Sequence, residues 1–164
     1  MDNSLRLNFI GTITDESLNE LWNNCFVGAD NMKHMNAHVP YPVNQQWQLN
    51  GFLTNQHNYK AWLIKRKHEH DIIGFVIYGN FIPGLTNNVG FNIGLQYTKK
   101  GYATETLQAL VEHIRTLGHT KAFGHCFETN SASKRTMENC GFQNMGPTGQ
   151  IYNGINELKF KIEL

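Results

Sequence analysis

The residues best suited to chemistry lie between positions 88 and 142. There, Gln96-Tyr97-Thr98-Lys99-Lys100-Gly101-Tyr102-Ala103-Thr104-Glu105 joins an apolar, strand-like run to a periodic helix. A helix N-terminus presents unpaired N–H groups and a partial positive charge. A glycine there lets the backbone approach an anion closely. Lys99, Lys100, Gly101 and Ala103 therefore mark a diphosphate cradle. Further along, Asn130 and Ser133 open a second, shorter helix. Both also have structural readings, Asn130 as an N-cap and Ser133 as a helix-start residue that satisfies a backbone group. Glu128, at a strand end beside them, is a candidate base acting through water; a solvated strand end is its alternative. Glu105 sits in the first turn of the longer helix, where the dipole stabilises a carboxylate, so its expected role is structural.

The histidines read differently. His34 and His38 have the spacing of metal ligands on a helix, but no third ligand is evident and Pro40 follows. A surface loop is expected there, as for His68-Glu69-His70, and no metal site is expected. His125 alternates with Phe123 and Phe127 and is read as a packed core histidine rather than a pocket residue.

These groups need elements to hold them. Apolar residues at Ala103, Leu107, Leu110, Val111, Ile114 and Leu117 fall at steps of three and four, one buried helix face. Gly118 closes that helix as a left-handed C-cap. Upstream, Leu5, Leu7 and Phe9 alternate as in a half-buried strand. Thr14 or Asp15 caps a helix through Leu18, Leu21, Trp22 and Phe26. Residues 29–43 are polar and contain Pro40 and Pro42, so a loop is expected, followed by a short helix over 45–53. Strands are expected at 59–64, 72–78, 89–95 and 121–127, a short helix at 130–139, and a final strand pair at 142–145 and 151–162. Gly90 and Gly94 inside a strand mark a bulge or a close backbone approach. The order predicts an α/β sheet with helices on both faces.

At 164 residues the chain has the length of one domain, residues 1–164, and can bury a core. A net charge of +1 gives no ground for general nucleic-acid or anionic-membrane binding. No apolar run approaches a membrane span, and Met1-Asp2-Asn3-Ser4 does not open a signal peptide. Cys25, Cys126 and Cys140 are an odd number without zinc-type spacing, so reduced thiols and a cytoplasmic location are expected. Neither a P-loop nor a dinucleotide fingerprint is present.

Gly101-Tyr102-Ala103-Thr104-Glu105, followed by Asn130-Ser131-Ala132-Ser133-Lys134-Arg135 and then Gly141-Phe142, resembles the GNAT acyltransferase superfamily. More narrowly, it is similar to the RimJ/RimL-type protein N-acetyltransferases. The resemblance implies a GNAT-like mixed, mostly antiparallel central sheet splayed in the middle. It implies acetyl-CoA as donor, with the diphosphate on the N–H groups around Lys100 to Thr104 and Lys99 and Lys100 as phosphate contacts. The pantetheine arm would pair with a strand edge at Ile93, Gly94 and Leu95. Asn130 would contact the pantetheine region, and the Ser133 hydroxyl would stand near the CoA sulfur. The acceptor would be a primary amine, either a peptide or protein N-terminus or a small amine, bound in a wall that includes Tyr41, Trp47 and Phe52. Monomer and homodimer are both compatible with the family.

The chain departs from the family pattern in four places. Thr98 stands where the cradle usually begins with glutamine or arginine. Lys99 stands where glycine is common. Asn92 replaces a glutamate and cannot act as a base. Met137 stands where many members carry a tyrosine proton donor; should Ser133 not assist the departing thiolate, water or another tyrosine, Tyr97 or Tyr152 first, would have to. The alternative function is a CoA-binding sensor or interaction module without transfer activity.

Overall fold

A computed structural model describes all 164 residues. Seven strands form one sheet, β1 (Leu7–Ile10), β2 (Tyr59–Arg66), β3 (Ile72–Gly79), β4 (Asn88–Ile93), β5 (Lys121–Phe127), β6 (Gln143–Tyr152) and β7 (Ile155–Glu163). Their spatial order is β1-β2-β3-β4-β5-β7-β6. All neighbours are antiparallel except β4 and β5, whose parallel pairing needs a crossover helix. That helix is α4 (Tyr102–Thr116). The others are α1 (Asp15–Cys25), α2 (Ala29–Asn36), α3 (Gln46–Thr54) and α5 (Ser131–Asn139). This is the expected α/β architecture, with helices on both faces of a mostly antiparallel sheet. No helix is long and apolar enough to cross a membrane.

The core centres on β3, Ile72-Ile73-Gly74-Phe75-Val76-Ile77-Tyr78, buried along its length because helices cover both of its faces. On α4, Leu107, Leu110, Val111 and Ile114 are buried at the expected helical spacing. Each such side chain contributes about 1.5–3 kcal/mol of hydrophobic burial. Leu117 and Leu5, expected to be inward, are exposed, because each lies just beyond the end of its element. Thr14 caps α1 in a reciprocal box with Ser17: Thr14 Oγ1 accepts from Ser17 N at 3.2 Å and Ser17 Oγ accepts from Thr14 N at 2.9 Å.

Two expectations need correction. Residues 29–36 form α2 rather than a loop. Only Met32 and Met35, three apart, mark an apolar face, and tertiary contacts supply what propensity does not. Met35 is buried and His34 Nε2 donates to Ile93 O at 2.9 Å, while Asn31 Nδ2 adds a local bond to Val27 O at 2.8 Å. Asn36 then closes the following loop by holding Val43 from both sides, donating to its carbonyl at 2.6 Å and accepting from its N–H at 2.8 Å. The last hairpin is also divided differently: β6 runs on through Tyr152, the turn at Asn153-Gly154 falls inside the expected strand 151–162, and β7 begins at Ile155. Most of β6 is exposed on both faces, so its sequence shows no apolar alternation.

Candidate functional site

The segment expected to cradle a diphosphate is a backbone turn. Lys99 has φ +60° and Gly101 φ +81°, both left-handed, and α4 begins at the next residue. A left-handed non-glycine residue is uncommon, which explains why glycine suits the position of Lys99. The first hydrogen bond of α4 runs from Glu105 N to Gly101 O, and no side chain caps the helix. The N–H groups of residues 99–104 therefore converge on one turn without protein partners, an arrangement suited to an anion.

Arg6, a residue with no motif around it, braces this turn. Glu105 Oε1 accepts from Arg6 N at 2.7 Å and from Ser4 Oγ at 2.7 Å, and Oε2 accepts from Arg6 Nε at 2.6 Å. Arg6 Nη1 donates to Lys100 O at 3.0 Å, and its guanidinium lies 4.7 Å from the Tyr102 ring centroid. Burial acts to raise the Glu105 pKa, but donation from Ser4 and Arg6 outweighs it and holds the carboxyl below its ordinary range. Glu105 is thus structural, as its place in the first helical turn suggests.

Strands β4 and β5 pair only at Asn88↔Phe123 and Val89↔Gly124. Beyond Val89 they diverge, and the facing edge of β4 has no strand partner. The strand ends at Ile93, while Leu95 belongs to a single 3-10 turn over Leu95–Tyr97. Ile93 O already accepts from His34, and Gly94 N donates to Ile73 O at 2.8 Å. A Cβ on Gly94 would lie 2.8 Å from Cys25 Sγ, so this glycine serves packing against α1. The edge without a strand partner therefore runs from Gly90 to Ile93, where His34 occupies the last carbonyl, and stops short of Gly94 and Leu95 in the expected 93–95.

A cavity of about 440 Å³ enters this opening. Its apolar wall includes Met35, Leu49, Phe52, Phe75, Ile77, Phe81 and Phe91; His34, His38, Tyr41 and Asn92 add polar groups, and Asn130, Ser133 and Met137 line the α5 side. No Asp, Glu, Lys or Arg lines it. A wider groove of about 900 Å³ adjoins it, sharing Tyr41, Phe81, Ile82 and His125 and reaching the β6–β7 hairpin.

Asn130 caps α5, its Oδ1 accepting from Ser133 N at 3.0 Å. The helix-start duty therefore falls to Asn130. The Ser133 hydroxyl makes no hydrogen bond within the protein, and Ser133 lines the cavity. Glu128 lies outside the cavity lining. Its carboxylate accepts from Asn156 N at 3.1 Å and from Asn156 Nδ2, and the backbone donation, ahead of the side-chain one, lowers its pKa. Tied to β7 and made less basic, it is poorly set to take a proton.

His125 lines both cavity and groove rather than sitting in the core. Its Nδ1 is buried without a hydrogen-bond partner. Burial pushes its pKa down; Glu157 acts to raise it and Lys159 to lower it further. The alternation with Phe123 and Phe127 identified its sheet face, but not that this face borders a cavity. Tyr41 and Phe52 line the cavity as expected, whereas Trp47 is exposed and does not. Tyr97 is buried 5.1 Å beneath the Arg66 guanidinium, and Tyr152 stands in the outer groove.

A family model described as an acetyltransferase (GNAT) domain matches residues 6–143. Among solved structures, a GNAT-family acetyltransferase from Bacillus anthracis superposes with a TM-score of 0.82 at 17% identity, covering 98% of this chain and 96% of that one. The microcin C7 self-immunity acetyltransferase MccE, solved with acetyl-CoA and AMP, superposes at 0.79 with 19% identity, covering 98% and 93%. RimL, a ribosomal alpha-N-protein acetyltransferase solved with coenzyme A, superposes at 0.78 with 16% identity, covering 99% and 97%. At such identities these likenesses establish the fold. No curated protein matches the sequence.

Proposed function

Since the chain belongs to the GNAT acetyltransferase family, we propose that it moves the acetyl group of acetyl-CoA to a primary amine, and that a peptide or protein N-terminus is the acceptor. The likeness to RimL supports the RimJ/RimL-type assignment and this acceptor class. In this reading residues 1–164 work as one catalytic domain, in a cytoplasmic setting that suits three unpaired cysteines.

The observation that carries the proposal is the parting of β4 and β5 after Val89, with a cavity that runs into the gap and ends against Asn130 and Ser133. The unpaired N–H groups of residues 99–104 hold the diphosphate, with Lys99, Lys100 and Arg6 supplying positive charge. The open edge from Gly90 to Ile93 pairs with the pantetheine arm. Asn130 keeps α5 in register beside it. Acetyl-CoA supplies the activated thioester. The amine nitrogen bonds to the thioester carbon, the carbon–sulfur bond breaks, and the amine proton leaves through water. The Ser133 hydroxyl donates to sulfur as charge grows there, a contact stronger in the transition state than before it.

The absence of a carboxylate from the cavity, with Met137 in place of a tyrosine donor, favours one other reading, a CoA-binding module without transfer. Free-thiol release from acetyl-CoA with a panel of amines separates the two. For the active enzyme, Ser133→Ala should lower turnover by about 10²-fold, the typical loss for one such donor. Its melting temperature should hold, because Asn130 carries the cap. Normal turnover in Ser133→Ala removes Ser133 from the mechanism.

A further inference from the structure

We propose that the acceptor amine is an α-amine carried beside a large apolar, preferably aromatic, side chain, and that polyamines and lysine ε-amines are rejected. The proposal rests on the transfer reading above and names the substrate class of the same site.

The first argument is charge. No Asp, Glu, Lys or Arg lines the inner cavity; its only titratable polar groups are Tyr41, Cys126 and the imidazoles of His34, His38 and His125, none of which supplies a negative charge at neutral pH. A polycation entering it would lose its hydration with no counter-charge to replace it, a heavy cost. Sites that hold polyamines need carboxylates, and neither Glu157, in the outer groove, nor Glu128, held on Asn156, lines the cavity.

The second argument is shape. The cavity of about 440 Å³ is within the usual range of about 300–1,000 Å³ for small-ligand sites. Phe52, Phe75, Phe81, Ile77 and Leu49 make its wall apolar, while Asn130 and Ser133 lie together on the α5 side. An apolar side chain fills the first region while its amine points to the second. A small or polar first residue would leave that wall unfilled.

The third argument is proton supply. The cavity holds no carboxylate base, and burial lowers the basicity of His38 and His125, so an amine that arrives already neutral has the advantage. An α-amine, with a pKa of about 7.7–8.0, is about one-third neutral at pH 7.5, whereas a lysine ε-amine, at about 10.4, is about 0.1% neutral. Burial in an apolar cavity lowers both values but leaves this gap.

An α-amine beside an apolar group can come from a peptide N-terminus or from a free small amine. The adjoining groove, bordered by the β6–β7 hairpin and carrying Glu157 and Lys159, gives a following chain somewhere to lie.

The test is thiol release by the full chain with acetyl-CoA and phenylalaninamide, glycinamide, peptides starting with phenylalanine or serine, spermidine and Nα-acetyl-lysinamide. Phenylalaninamide should exceed glycinamide in kcat/KM by about 100-fold, the reach of a well-filled apolar pocket, and spermidine should be inert. A further gain with the phenylalanine-initiated peptide identifies a peptide source, and parity with phenylalaninamide a free amine; both support the proposal. Glycinamide, the serine-initiated peptide, spermidine or Nα-acetyl-lysinamide performing as well as phenylalaninamide overturns it. Calorimetry of phenylalaninamide on the CoA complex keeps the two readings apart. Binding without thiol release defeats transfer but sustains the pocket assignment, and absence of both defeats both.

A carboxylate at the cavity mouth supplies a reversal. Ile82→Glu, on a half-buried loop, should lower phenylalaninamide kcat/KM at least about tenfold and admit spermidine, with Val39→Glu as the second variant. Unchanged selectivity in both variants overturns the charge argument.

Discussion

The brace between Glu105 and Arg6 makes a quantitative prediction that links stability to donor binding. In Glu105→Ala, three hydrogen bonds to one largely buried carboxylate are lost, from Ser4 Oγ, Arg6 N and Arg6 Nε. A hydrogen bond to a charged group contributes about 1.5–3 kcal/mol. The Arg6 side chain is 43% exposed, so its ion pair counts for no more than about 1 kcal/mol. The backbone N–H of Arg6, left without its acceptor, carries most of the effect. The expected loss is about 3 kcal/mol, which for a chain of this length lowers Tm by about 6–12 °C. Arg6 also donates to Lys100 O, so its release loosens the cradle. CoA affinity measured by calorimetry below the melting range should fall at least fivefold, the equivalent of about 1 kcal/mol.

Glu105→Gln is the control. It keeps an acceptor for Arg6 N and Ser4 but loses the charge. Because the native carboxyl titrates below its ordinary value of 4.5, its charge stabilises the fold fully above that pH. The contribution fades as pH falls through the depressed folded value. The Tm gap between native chain and Glu105→Gln should therefore shrink below pH 4.5. A Glu105→Ala protein that melts within 2 °C of native (about 1 kcal/mol or less) and binds CoA normally would refute the brace.

Three other predictions concern the site. Gly101→Val forces a β-branched residue into φ +81°, with its Cβ 3.3 Å from Arg6 Nη2. It should weaken CoA binding more than about tenfold on top of about 1–2 kcal/mol of backbone strain. Unchanged affinity in a folded variant would mean that the phosphates bind elsewhere. Gly124→Ala would bring a Cβ 2.4 Å from Met137 Sδ at the cavity floor. Thermal melts should register about 1–3 kcal/mol of overpacking, and an unchanged Tm would show that Met137 moves freely. Burial raises the thiol of Cys25 to about 12 and those of Cys126 and Cys140 to about 11. All three should resist alkylation at neutral pH in the native protein and react after denaturation; rapid native labelling of Cys126 would contradict its burial in the cavity wall.

Local chemistry carried much of this protein into view from the chain alone. The spacing of Leu107, Leu110, Val111 and Ile114, the left-handed glycines at 101 and 118, and Asn130 at a helix start report interactions within a few residues, which any chain with that order would make. The turn of unpaired N–H groups before α4 was legible for the same reason, since it is a turn and a helix end in sequence continuity. Other features belong to contacts between segments far apart. Helix α2 has little apolar period and stands because Met35 and His34 find partners on other elements. Arg6 became part of the site only by meeting Glu105, 99 positions away. The split of β4 from β5 depends on where their pairing stops, at Val89↔Gly124, and the glycines inside β4 did not locate that point. Glu128 and His125 exchanged their expected standing because a titratable side chain takes its character from its surroundings. Asn156 claims the carboxylate, and the diverging sheet opens beside the imidazole. Short-range geometry is written into residue order; which polar groups face a cavity is set by the packing of the whole sheet.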